Sequence, residues 1–171
     1  MRPAAAGLFL VLAAAAAGAQ PDGVEINPAG GRFKIRFPAQ PREKTQKAST
    51  PIGELTIYAA TYATPEGNVL LVSQTDYPAD AAKPADHPTL LAGAGEALVA
   101  KDGKKVSDTA VTFGPDKTAG REVVVDKGKV QLRFRMLIRD NRLYQIGAVG
   151  TGAFVTGKGT TEFLDSFELV K

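Results

Sequence analysis

Arg32-Phe33-Lys34-Ile35-Arg36-Phe37 alternates strictly, apolar residues pointing one way and cations the other. A period of two is the mark of a strand buried on one face. Pro38 and Pro41 stop it, because proline cannot donate to a ladder. Arg42 to Gly53 is polar and predicts a loop. Leu55–Tyr62 and Val69–Tyr77 are β-rich runs separated by a turn containing Pro65 and Gly67, so they predict a hairpin. A connector over Pro78–Pro88 follows. Leu90, Leu91, Ala94, Ala97 and Leu98 then recur at spacings of three and four, which predicts an amphipathic helix over 86–100, with Asp86 as N-cap and Pro88 in the first turn. Gly93 and Gly95 each weaken it by about 1 kcal/mol relative to Ala, so packing must supply its stability. Asp102-Gly103 ends it.

Four more strands are expected: Val106–Phe113, Arg121–Asp126, Val130–Arg139 and Arg142–Val149. Lys127-Gly128 and Asp140-Asn141 are tight-turn signals, so the last three should form an antiparallel meander. Thr160–Phe167 predicts a short amphipathic C-terminal helix, and Glu168–Val170 a brief extended close. Tight turns between consecutive strands favour an α+β fold: a central antiparallel sheet of about six or seven strands with helices packed on it.

The N-terminal segment is different in kind. Met1-Arg2 is followed by an apolar, Ala-rich run over Ala4–Ala17 and the small-x-small triplet Ala17-Gly18-Ala19. That pattern predicts a signal peptide over 1–19, cleaved after Ala19, and a secreted or periplasmic protein. Gln20–Gly31 reads as an extended lead-in, and 32–171 as one domain. Cleavage would leave 152 residues with 20 basic against 18 acidic side chains. No other apolar run approaches the roughly 18 residues a membrane-spanning helix needs. The chain contains no Cys, which removes disulfides, thiolate metal ligands and a lipid-modified Cys anchor. The sequence pI of about 9.2 reflects a small cationic excess. With no Trp, and Phe at core-like positions, nothing resembles the basic stripe with stacking aromatics of a nucleic-acid binder.

Phe33-Lys34-Ile35-Arg36-Phe37-Pro38, Gly120-Arg121-Glu122, Arg142-Leu143-Tyr144-Gln145-Ile146 and Phe163-Leu164-Asp165-Ser166-Phe167-Glu168-Leu169 occur in that order. Together they resemble the PsbP-like superfamily, in particular its secreted bacterial members, over Phe33–Leu169. The resemblance implies an α/β/α sandwich around an antiparallel sheet. The plant member is an extrinsic subunit of the oxygen-evolving photosystem, and another branch binds a small GTPase in nuclear import. Members act as binding or assembly modules and share no catalytic residues to carry over.

Candidate chemistry is sparse. Gly152–Gly159 nearly matches a phosphate-binding loop, but Gly159 stands where a hydroxyl should hold magnesium, so a flexible Gly-rich loop is expected. Gly93-Ala94-Gly95 lacks the third glycine of a dinucleotide fingerprint and lies inside the predicted helix. His87 is the single histidine; Asp76, Asp80 and Asp86 are its nearest carboxylates, and Asp86-His87-Pro88 more simply enters a helix. No G-x-S-x-G elbow occurs, and Ser73, Ser107 and Ser166 sit at structural positions. Neither metal nor cofactor is expected.

The remaining feature is cationic. Arg133, Arg135 and Arg139 alternate against Leu132, Phe134, Met136 and Ile138, much as Lys34 and Arg36 alternate against their apolar neighbours. Were the two strands adjacent, these five cations would form a patch for an anionic ligand or an acidic protein surface in the cell envelope. Substituting Arg133 and Arg135 by Glu would then abolish capture and leave the melting temperature alone. The competing expectation is that Glu54, Glu122, Asp126 and Glu168 neutralise them across strands. The sequence thus predicts a non-catalytic binding or assembly module, with a small hydrolase or ligand-binding protein using the 78–88 loop and His87 as the alternative.

Overall fold

The computed structural model describes residues 23–50, 53–99 and 103–170. The expected signal peptide lies outside the described residues. Seven strands form the central sheet: β3 (Arg42–Thr50), β4 (Gly53–Ala63), β5 (Val69–Asp76), β6 (Lys104–Phe113), β7 (Thr118–Asp126), β8 (Gln131–Arg139) and β9 (Arg142–Gly150). Their order is β3-β4-β5-β9-β8-β7-β6, with every neighbouring pair antiparallel. A second sheet holds β1 (Val24–Ile26), β2 (Phe33–Phe37) and β10 (Glu168–Leu169), with β2 in the middle. Helix α1 (His87–Val99) follows a 3-10 turn at Pro84–Asp86, and α2 (Gly152–Val155) and α3 (Lys158–Asp165) lie near the C-terminus.

This is the α+β architecture with a central antiparallel sheet that the strand pattern predicts. Each face of that sheet carries its own core. Leu91 of α1 packs with Val123, Val125, Phe134, Met136, Ile138 and Leu143 on one side. On the other, Phe33, Ile35 and Phe37 of β2 pack with Leu70, Val72, Tyr144 and Ile146 of the sheet and Val155, Phe163 and Leu164 of the short helices. The layer opposite α1 is therefore a small sheet plus two helices.

The strand count matches expectation, but the membership differs. Phe33–Phe37 shows the predicted alternation, its three apolar side chains being wholly buried, yet it belongs to the second sheet. Its place in the central sheet is taken by Arg42–Thr50, where a loop was expected. Strand β3 is an edge strand, exposed along most of its length. It has no buried face, so hydrophobic periodicity has nothing to report there. Backbone pairing holds it, helped by Lys47 Nζ to Glu54 at 2.8 Å and Tyr58 Oη donating to Glu43 at 2.7 Å. Its charges also suit an edge that must not pair with another chain.

Three smaller corrections follow from local geometry. Val24–Ile26, inside the expected lead-in, pairs with β2 in register Val24 to Phe37. Ala97 is exposed, so the helical stripe is completed by Val99 instead. The expected Gly-rich loop over Gly152–Gly159 is α2, a turn and the start of α3. Thr151 caps α2 by accepting from the Phe154 amide, and Gly157 fits beside the Ala153 carbonyl, which an added Cβ would approach to 2.9 Å. The two predicted tight turns form as expected, with Gly128 at φ 76° and Asp140 at φ 56°.

Two stability measurements test this packing. Phe33→Ala should cost about 3–5 kcal/mol, read as a fall in the denaturation midpoint. In α1, a Cβ on Gly93 meets no atom within 4 Å, and one on Gly95 would lie 3.5 Å from Val123, an ordinary contact. Gly93→Ala with Gly95→Ala should therefore raise stability by about 1–2 kcal/mol, which a higher melting temperature would report.

Candidate functional site

The five cations singled out by alternation do not come together. Lys34 and Arg36 lie on the second sheet, where Lys34 meets Glu168 at 2.9 Å and Arg36 meets Glu25 at 3.7 Å. Arg139 sits at the end of β8 and pairs with Asp116 at 3.1 Å. Arg133 and Arg135 do converge, but on Glu122 of β7, at 3.2 and 2.7 Å. Both also reach α3: Arg133 donates to Thr161 at 3.0 Å and Arg135 to Asp165 at 2.5 Å. Their side chains are only 15% and 18% exposed, beneath that helix. The two arginines fasten α3 to the sheet instead of forming an open patch.

Cross-strand neutralisation therefore prevails, through Glu122 and Glu168 among the four carboxylates expected. Glu54 is engaged by Lys47, and Asp126 accepts from the Gly128 amide. Glu25, Asp116 and Asp165 come from other elements and could not be paired with cations from spacing alone. One signal was available: Leu137 shares its face with Arg135 and Arg139 and is wholly buried, so that face is part of a core.

Burial alone would raise the Glu122 carboxyl. The hydrogen bonds and charges of Arg135 and Arg133 outweigh it and hold the group below its ordinary 4.5. A depressed folded value stabilises above the unfolded one and is lost as pH falls through it.

A second arginine cluster lines a hollow of about 210 Å³ beside the β8–β9 turn. Its members are also engaged. Arg142 grips Asp76 at 2.5 and 3.1 Å and donates to the Gly30 carbonyl at 2.6 Å, and Arg32 faces Asp140 at 3.5 Å.

The larger concavity, about 540 Å³, lies between the start of α1 and the β6–β8 ribbon. Ile138 and Leu91 give it an apolar base; both are more than 90% buried. Ala110 and Ala119 leave it open, because neither carries a side chain beyond Cβ. Its polar side is Asp108 with Arg121. Arg121 grips Asp108 through Nε at 3.0 Å and Nη2 at 2.5 Å, and Lys105 adds a contact at 3.2 Å. Burial raises the Asp108 carboxyl, but these partners prevail and keep it below its ordinary value.

His87 lines the same cleft. Its Nε2 lies 3.0 Å from the Asp140 carbonyl and 3.3 Å from that of Ala82. Carbonyls only accept, so Nε2 carries the hydrogen and Nδ1 is left as the ring's other site. Asp76, Asp80 and Asp86 do not line the cleft; among the described residues the carboxylate that does is Asp108. Among the described residues no group of three metal-ligating side chains converges. Sequence spacing singled out His87 and missed Asp108 and Arg121, which only strand pairing brings beside it.

No protein-family model matches the chain, and no curated protein matches it. Among solved structures it is similar to PA94 of Pseudomonas aeruginosa, a protein of unknown function. That similarity has a TM-score of 0.36 and 13% identity over 77% of this chain and 84% of the other. So distant a likeness bears on neither fold nor function.

Glu122→Gln should destabilise the protein by about 1–3 kcal/mol at neutral pH, since two half-buried guanidinium groups lose their shared carboxylate. The difference from the unsubstituted protein should shrink as pH falls below roughly 4.5, where the Glu122 contribution disappears. Paired denaturation curves at neutral and acid pH would show it. Replacing Arg133 and Arg135 by Glu should likewise lower the melting temperature.

Proposed function

We propose that the chain is an exported, non-catalytic binding module that takes a small, mainly apolar molecule into the cleft between α1 and the β6–β8 ribbon. The observation that carries this reading is the cleft itself: a base of buried Leu91 and Ile138, a mouth of Ala110 and Ala119, and a few polar groups, His87, Asp108, Thr118 and Arg121, around it. Ligand sites are characteristically concave, mostly apolar and furnished with a few polar groups.

Several features support a binding role. His87 spends Nε2 on two backbone carbonyls. His87 is also where the segment around residues 78–88 reaches the cleft, so the alternative of a ligand-binding protein using that segment leads to the same place. Export is supported by the pattern over residues 1–19, and no helix among the described residues is long and apolar enough to cross a membrane. The resemblance of Phe33–Leu169 to PsbP-like binding and assembly modules points the same way.

Ala110 and Ala119 are exposed, so larger side chains there fill the cleft without overpacking the core. N-phenylnaphthylamine, a neutral dye that brightens in apolar surroundings, should bind the unaltered protein. The Ala110→Leu, Ala119→Leu variant should lose at least tenfold in dye affinity at an unchanged melting temperature. Equal affinity in the two proteins would place dye binding elsewhere and defeat the reading.

A further inference from the structure

The charges beside this cleft are closed on one another. Asp108 of β6 is held by two nitrogens of Arg121 from β7 and by Lys105 of its own strand. Lys105 in turn reaches Glu96 of α1 at 2.5 Å. Two cations and two carboxylates thus run from helix to sheet with no net charge. Asp108 is the least exposed of the four, its side chain being 17% exposed.

That closure decides what the cleft can accept. An anionic ligand would have to take Arg121 from Asp108 and lie beside that carboxylate. A cationic ligand would have to displace Lys105 or Arg121. Either exchange leaves a half-buried charge without its partner, which is costly. A neutral ligand disturbs none of these pairs.

Two polar sites remain for it. Arg121 uses Nε and Nη2 on Asp108, which leaves Nη1 as a donor. His87 spends Nε2 on the two carbonyls; Nδ1, an acceptor when the ring carries one proton, has no protein partner among the described residues. From this we infer that the cleft selects an uncharged amphiphile: an apolar body carrying a hydroxyl or N–H donor for His87 and a carbonyl or ether acceptor for Arg121. The inference rests on the cleft reading above and deepens it by naming the ligand class.

A matched pair of dyes tests it. N-phenylnaphthylamine and anilinonaphthalene sulfonate share an aromatic body and an N–H, and only the second is an anion. The unaltered protein should bind the neutral dye at least tenfold more tightly. Asp108→Asn leaves Arg121 and Lys105 against Glu96 alone, so it should improve sulfonate affinity at least fivefold and barely change that of the neutral dye. Arg121→Met reverses the imbalance and should weaken sulfonate binding further, which provides a second measurement if Asp108→Asn folds poorly. Equal affinity for the two dyes in the unaltered protein, or a dye ratio indifferent to these substitutions, overturns the charge inference and leaves the cleft reading intact. Failure of the neutral dye to bind at all overturns both.

Discussion

The contact on which most of the architecture depends is aromatic. Phe33 of the small sheet stacks on Phe167 with centroids 5.6 Å apart and an interplanar angle of 24°. Tyr144 of the central sheet meets both rings, at 5.8 and 5.7 Å, and Phe113 abuts Phe167 edge-on at 5.9 Å. Such pairs add about 0.5–1.5 kcal/mol each beyond the area they bury. The cluster gathers residues far apart in the chain. The Tyr144 hydroxyl adds a bond to the Gly31 carbonyl, and the Val170 amide one to the Arg32 carbonyl. The clamp works with buried Ile35 and Phe37 to seat the small sheet, whose other strands, β1 and β10, are only three and two residues long.

With the small sheet and C-terminal segment seated, α3 lies against β2, β8 and β9. Arg133, Arg135 and Glu122 are then enclosed beneath it, and their charges become internal struts. A half-buried guanidinium needs a carboxylate close by. Here one glutamate serves two arginines while Thr161 and Asp165 each accept one further hydrogen bond. The same logic governs the Arg142–Asp76 pair. These cations are thus engaged in local pairs, not gathered into one field.

The opposite face is less completely covered. Helix α1 packs on β7 and β8, and small residues on β6 and β7 keep the space beside its first turn open. The network from Glu96 through Lys105 and Asp108 to Arg121 spans from helix to sheet. It serves the fold by joining α1 to the ribbon, and it leaves the cleft wall without net charge. Neither effect needs a catalytic group.

Local patterning determined much of this protein. The alternation of Phe33–Phe37, the spacing of Leu90, Leu91, Ala94 and Leu98, and the turns at Gly128 and Asp140 follow from how short segments divide apolar from polar positions, and each appears where that division put it. What the pattern could not contain was partnership between distant segments. Strand β3 was invisible because it buries neither face and owes its form to β4. Strand β2 alternated correctly but could not announce which sheet it joins, a choice made by Phe167 and Tyr144. Alternation left open whether the arginines of β8 form a free patch or are neutralised across strands, because the helix that covers them lies about thirty residues onward and alternation is silent about what arrives from outside the strand. The cleft was equally illegible: His87, Asp108 and Arg121 line one hollow only because antiparallel pairing lays β6 beside β7 near the start of α1. Apolar periodicity is a property of neighbours along the chain, whereas ion pairs and cavities are properties of neighbours in space.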